Sequence, residues 1–127
     1  MLEHITLNVS DFEKGKEFYT KALAPIGYKL TADLEEEFNA GFGVSEDKTD
    51  FWISAEHEFK QPIHVAFTVS SKAEVENFYN NAISLGAKDN GAPQYYTEYS
   101  NDYYAGYVLD LDGNNMEAVF HDPSVAK

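Results

Sequence analysis

His4-Ile-Thr-Leu-Asn-Val-Ser10 recurs sixty positions later as His64-Val-Ala-Phe-Thr-Val-Ser70. The match continues downstream. Phe18, Tyr19 and Ala22 answer Phe78, Tyr79 and Ala82, and Leu23 answers Ile83 in kind. After one missing residue, Gly27 answers Gly86. Matches gathered on one strand pattern and one helix face are the signature of an internal duplication. In the first copy Ile5, Leu7 and Val9 alternate with His4, Thr6 and Asn8. In the second, Val65, Phe67 and Val69 alternate with His64, Ala66 and Thr68. A period of two sends the apolar set to one face of a sheet and the histidine set to the other.

Working outward, each strand runs into a helix. Ser10-Asp-Phe-Glu13 and Ser71-Lys-Ala-Glu74 both fit a capping box. Helices are expected near 11–24 and 72–86, with Pro25 and Gly27 stopping the first and Gly86 the second. Further strands are expected at 28–32, 38–42 and 50–55 in the first half. In the second they are expected as a short piece near Ala87, then at 104–109 and 116–121. Asp112-Gly113-Asn114 marks the turn before the last strand. Glu56 to Gln61 is polar and separates the halves. The expected architecture is α+β: two tandem βαβββ modules, 1–55 and 62–122, joined by a linker at 56–61 in one domain, 1–127. They form a cupped mixed sheet with the helices on the convex side, because a single helix covers only one face of its sheet.

Composition bounds the partners. The 127 residues carry 22 acidic and 9 basic side chains, a formal charge of −13. That charge disfavours nucleic acid and anionic membranes. There is no cysteine, so thiol nucleophiles, disulfides and Cys-ligated metals are excluded and a reducing compartment is allowed. The opening Met1-Leu-Glu-His has no basic segment leading into an apolar stretch. The expectation is an unprocessed, cytoplasmic protein.

The face opposite the helices is where chemistry is expected. His4 and His64 are equivalent by the repeat. Met116, Ala118 and Phe120 form the apolar set of the last strand, so Glu117, Val119 and His121 face the other way. Two neutral imidazoles and one carboxylate in a half-open groove suit a divalent transition metal. Either histidine alone reads as an ordinary hydrogen-bonded strand residue; their recurrence at equivalent positions favours a site.

These residues resemble the vicinal oxygen chelate superfamily, which includes glyoxalase I, bleomycin- and fosfomycin-resistance proteins and extradiol dioxygenases. The resemblance rests on "LEHITLNVSDFEKGKEFY", "IHVAFTVSS" and "DLDGNNMEAVF". It implies paired modules around a divalent ion such as Fe, Zn, Mn or Ni. His4, His64 and Glu117 match the metal ligands, and Glu117 is the catalytic candidate. One departure stands out. If Phe51, Ile53 and Ala55 answer Met116, Ala118 and Phe120, then Trp52 answers Glu117, and indole ligates no metal. Asp50, one pleat away, is a weaker candidate. The remaining set resembles the facial triad of extradiol dioxygenases.

The resemblance implies a metal-dependent enzyme acting on a small oxygenated molecule by lyase, isomerase or dioxygenase chemistry. A typical glutathione-dependent glyoxalase I is disfavoured by the missing fourth ligand and the scarcity of basic residues. The alternative is a non-catalytic small-molecule or drug-binding protein of the bleomycin-resistance kind, favoured by the charge, Trp52 and the tyrosines. Trp52, Tyr104 and His121 are the substrate-binding candidates. Tyr95, Tyr96, Tyr99, Tyr103, Tyr104 and Tyr107 read as a lid over a planar ligand, as self-packing, or as a dimer contact. A homodimer is expected from the resemblance and the loop aromatics. His57 and Glu35-Glu-Glu37 read as surface.

Overall fold

The computed structural model describes residues 2–59 and 61–127. Residue 60 of the expected 56–61 linker and the opening Met1 therefore lie outside the described residues. The chain divides into two compact units, Met1–Gln61 and Pro62–Lys127.

In the first unit, strand β1 is Ile5–Asn8, helix α1 is Phe12–Ala22, β2 is Lys29–Leu34, β3 is Asn39–Gly43 and β4 is Thr49–Ser54. The sheet order is β1-β4-β3-β2, with β1 and β4 parallel and the other pairs antiparallel. The alternation works as its period requires. Leu7, Phe42, Phe51 and Ile53 are buried beneath α1, whose Tyr19 ring stands edge-on to Phe51 at 5.2 Å. Thr6, Trp52 and Gly41 share the other face. The helix starts one residue later than the capping box predicts. Asp11, in extended conformation, accepts from Lys14 N at 3.0 Å. A carboxylate at that position meets both the free N–H groups and the positive end of the helix. The helix ends at Ala22, and a 3-10 turn over Ala24–Ile26 leads to Gly27 at φ +89°, a left-handed turn that glycine adopts without strain. Glu35–Glu37 form an exposed 3-10 turn, and His57 is exposed.

The second unit repeats this order. Strand β5 is His64–Thr68, α2 is Lys72–Ser84, β6 is Lys88–Tyr95, β7 is Tyr103–Leu109 and β8 is Asn115–His121. The sheet runs β5-β8-β7-β6, with β5 and β8 parallel. The two units thus share one topology, which agrees with the duplicated βαβββ pattern. Ser71 caps α2 by accepting from Glu74 N at 3.1 Å, while Glu74 reaches back to Ser70 N at 2.8 Å. Val75, Phe78 and Ala82 of α2 are buried against the sheet face that carries Phe67, Met116, Ala118 and Val108. Strand β6 runs eight residues where only a short piece is expected. Register shifts beside Gly91 absorb the breaks that Gly91 and Pro93 put into its alternation. Among the described residues, no helix is long and apolar enough to cross a membrane.

Candidate functional site

The site candidate within the second unit begins at a turn. Asp110 Oδ1 accepts from Asp112 N at 2.9 Å and Asn114 N at 2.8 Å, and Asn114 Nδ2 donates to Asp110 Oδ2 at 2.9 Å. Asn114 Oδ1 accepts from Ile63 N at 2.9 Å, and Asn115 N donates to Ile63 O at 2.9 Å. Asn114 and Asp110 are buried, so these bonds are shielded from water. The Asp-Gly-Asn turn therefore pins the start of β5 to the start of β8. That clamp sets the register His64 to Asn115 and Ala66 to Glu117.

On the face so fixed, His64 Nε2 donates to Glu117 Oε1 at 2.8 Å. The Glu117 side chain is only 2% exposed, against 52% for His64. Glu117 Oε2 accepts from the Tyr103 hydroxyl. Tyr107, across the ladder from Glu117, packs its ring 6.3 Å from the His64 ring and 5.1 Å from Tyr96. Burial above all, and then Glu117, pushes the Tyr103 phenol up to about 12 and raises that of Tyr107. Both phenols therefore stay neutral donors toward a buried carboxylate at neutral pH.

The structure thus brings together His64 and Glu117, and adds Tyr103 and Tyr107. His4 lies just before β1 in the first unit, half exposed, with Nδ1 bonded to Glu3. Among the described residues, no group of three or more His, Asp or Glu side chains is gathered as a metal would need. Trp52 stands on the non-helix face of the first sheet, its ring lying over Gly41. His121 is half exposed, 3.5 Å from buried Asp102, with its ring edge-on to Tyr103 at 5.3 Å. The Ser100 hydroxyl holds the Asp102 carboxyl below its usual range.

Tyr104, a substrate-binding candidate of the sequence, lies on the other side of its sheet from Glu117. It is buried on the helix side and donates to Glu76 Oε2 of α2 at 2.6 Å, with Lys72 Nζ 4.8 Å above its ring. Strand alternation separates it from Tyr103, which takes the Glu117 face. The tyrosine-rich segment is therefore divided between two faces. Tyr95 joins Tyr104, at 4.9 Å and bonded to Asp122, while Tyr96 and Tyr99 pack on Tyr107 and Tyr103. Asp50 accepts from Tyr28 at 3.0 Å.

Asn115 lies inside the 110–120 stretch quoted above, but nothing in the sequence singled it out. A period of two counted back from Glu117 reaches it, and it lies across from His64 on the same face. Its Oδ1 is buried with no hydrogen-bond partner among the described residues. A buried carbonyl oxygen without a donor costs about 1–3 kcal/mol and calls for an occupant. An imidazole nitrogen, a carboxylate and this free amide oxygen form a donor set that divalent first-row ions accept.

Solved structures similar to the chain include a glyoxalase/bleomycin resistance protein from Albidiferax ferrireducens T118. It is 20% identical with a TM-score of 0.78, covering 92% of this chain and 96% of that one. A glyoxalase/bleomycin resistance protein/dioxygenase family enzyme from Burkholderia phytofirmans PsJN is 18% identical, TM-score 0.72, covering 94% and 97%. A lactoylglutathione lyase from Agrobacterium tumefaciens is 17% identical, TM-score 0.68, covering 94% and 92%. At these identities the likeness is one of fold. No curated protein matches the sequence. The family profile, by contrast, matches residues 1–118. The chain belongs to the Glyoxalase/Bleomycin resistance protein/Dioxygenase superfamily.

Proposed function

We propose that this protein is a metal-dependent enzyme acting on a small oxygenated molecule, by lyase, isomerase or dioxygenase chemistry. The observation that carries the reading is Glu117: a buried carboxylate, its side chain 2% exposed, bonded to His64 Nε2 at 2.8 Å. Burying a charge is costly unless it has a task or a strong partner. His64 and Glu117 would hold a divalent ion, and His4 enters as a third ligand from the sequence repeat. When bound, the ion supplies Lewis-acid stabilisation of negative charge developing on neighbouring substrate oxygens. The chain's own groups do the rest. Tyr103 fixes the second oxygen of Glu117, so the carboxylate has one orientation. Tyr107 and Tyr96 wall the face. Trp52 and His121 are proposed substrate contacts, and a cytoplasmic homodimer is the proposed assembly.

Metal analysis of protein purified without chelator tests the reading. Stoichiometric Fe, Zn, Mn or Ni, lost in His64→Ala with the fold retained, supports it. An empty site that no added ion fills removes it. A second reading, sequestration of an aromatic cation without chemistry, is favoured by the −13 charge and by the aromatic contacts around Tyr103 and Tyr107. Tight binding of such a cation to metal-free protein selects it.

A further inference from the structure

We infer that Asn115 is a metal ligand of the second unit, supplying its Oδ1 beside His64 and Glu117. The inference rests on the metal-dependent reading above and extends it to a residue that the superfamily resemblance does not assign. Three observations carry it. Asn115 and His64 are direct neighbours across the parallel β5–β8 pair, and Glu117 is two residues along the same strand. All three therefore project from one face, with His64 and Asn115 about 5 Å apart across the pair and Asn115 and Glu117 about 7 Å apart along the strand, within reach of one ion for side chains of their length. Asn115 Oδ1 is buried and has no donor among the described residues, although its own backbone N–H is used on Ile63 O. The fixing of Asn114 by Asp110 and Ile63 holds the adjoining Asn115 in place.

The donor chemistry agrees. An amide oxygen is a neutral, hard donor that suits Mn, Fe, Co, Ni or Zn beside imidazole and carboxylate. A carbonyl oxygen left bare in the metal-free protein lowers stability. The same oxygen, already desolvated and held, needs little reorganisation to coordinate.

The test is cobalt(II) binding to the full chain, followed by visible absorption and by titration at fixed pH, together with metal-free thermal melting. Wild type, Asn115→Leu and Asn115→Asp are compared. Asn115→Leu is expected to melt at or above the wild-type temperature without metal and to bind cobalt at least about tenfold more weakly, as loss of a ligating or supporting group does. Asn115→Asp places a second carboxylate near Glu117. It is expected to melt lower without metal, and to gain more in melting temperature from cobalt than wild type does. The inference is overturned if wild type binds cobalt and Asn115→Leu binds it equally well with the same spectrum, the result expected if only water met Oδ1. It is also overturned if Asn115→Leu melts well below wild type without metal while Asn115→Asp binds no cobalt. If wild type itself binds no cobalt, the underlying metal reading fails and this inference falls with it.

Discussion

Trp52 holds in the first sheet the register position that Glu117 holds in the second. Trp52 lies across from Thr6 and Gly41, and Glu117 lies across from Ala66 and Tyr107. Thr6 and Ala66 are themselves sixty residues apart, so the equivalence follows the repeat residue by residue. The two copies have diverged in opposite senses at this point. One keeps a carboxylate beneath a tyrosine, and the other puts a bicyclic ring over a glycine. The first unit thereby offers an apolar surface where its counterpart offers charge.

The Trp52–Gly41 contact predicts a sharp effect of one methyl group. A Cβ at Gly41 would stand 2.4 Å from Thr49 Cγ2 and 3.1 Å from the Trp52 ring. Thr49 is tied to Thr31 at 2.7 Å, so it yields only by breaking that bond. Gly41→Ala is expected to lose about 1–3 kcal/mol, the usual cost of overpacking. It should also displace Trp52, the sole tryptophan, toward water. Urea unfolding gives the first and a red shift of the emission the second. An unchanged midpoint with unchanged emission would refute the packing argument.

Asn114 offers a different kind of test, because it joins two strands with one side chain. Asn114→Ala strips Ile63 N of its acceptor and Asp110 Oδ2 of a donor, both at 2.9 Å and both partly or fully buried. An N–H so orphaned costs about 1–3 kcal/mol, and the lost bond to Asp110 loosens the turn as well. The expected loss is several kcal/mol in denaturant unfolding, with faster amide exchange at Ile63 and Asn115. Because the same clamp sets the His64–Asn115 register, metal affinity should fall in parallel. A variant as stable as wild type would mean that the backbone pairing alone suffices.

Much of this was legible in the sequence, and the parts that were not have identifiable causes. The recurrence of His4 and His64, with alternation on either side, gives the topology, and the register that pairs Trp52 with Glu117 follows from it. Asp11 takes the cap expected of Ser10 because neighbouring capping residues compete, and local geometry decides between them. Strand β6 was hidden because Gly91 and Pro93 interrupt its pattern, and bulges repair this only in three dimensions. Tyr104 and Tyr103 were interchangeable without knowing where β7 begins. A one-residue change of register moves a side chain to the other face. The Asn115 oxygen was invisible, since whether an amide finds a partner depends on packing and not on pattern.

Tyr104 makes the fold sensitive to alkali. Burial, then its bond to Glu76, pushes its pKa up to about 12. A phenol whose folded pKa lies above its unfolded value near 10 favours the folded state below that value. Its contribution is fully present below pH 10 and is lost as the pH rises from 10 through 12. Wild type should therefore lose melting temperature over that range. Tyr104→Phe should start less stable at neutral pH and fall less steeply. Absorbance at the phenolate band should show one late-ionising phenol in wild type that is absent from Tyr104→Phe. Parallel pH profiles for the two proteins would count against it.

Glu117 closes the argument between stability and function. Its charge is buried, and the groups that meet it are a half-exposed imidazole and a neutral phenol. Glutamine has the same length, still accepts from Tyr103, and removes the charge whose desolvation opposes folding. Metal-free Glu117→Gln is therefore expected to unfold within about 1 kcal/mol of wild type, the lost His64 bond being offset by the charge no longer buried. It should lose the stabilisation that added metal gives wild type, because a neutral amide is the weaker ligand. The measurement is a pair of denaturant curves with and without saturating zinc. If Glu117→Gln instead falls several kcal/mol below metal-free wild type, the carboxylate serves the fold through its His64 pairing, and the burial of its charge ceases to be an argument for a metal.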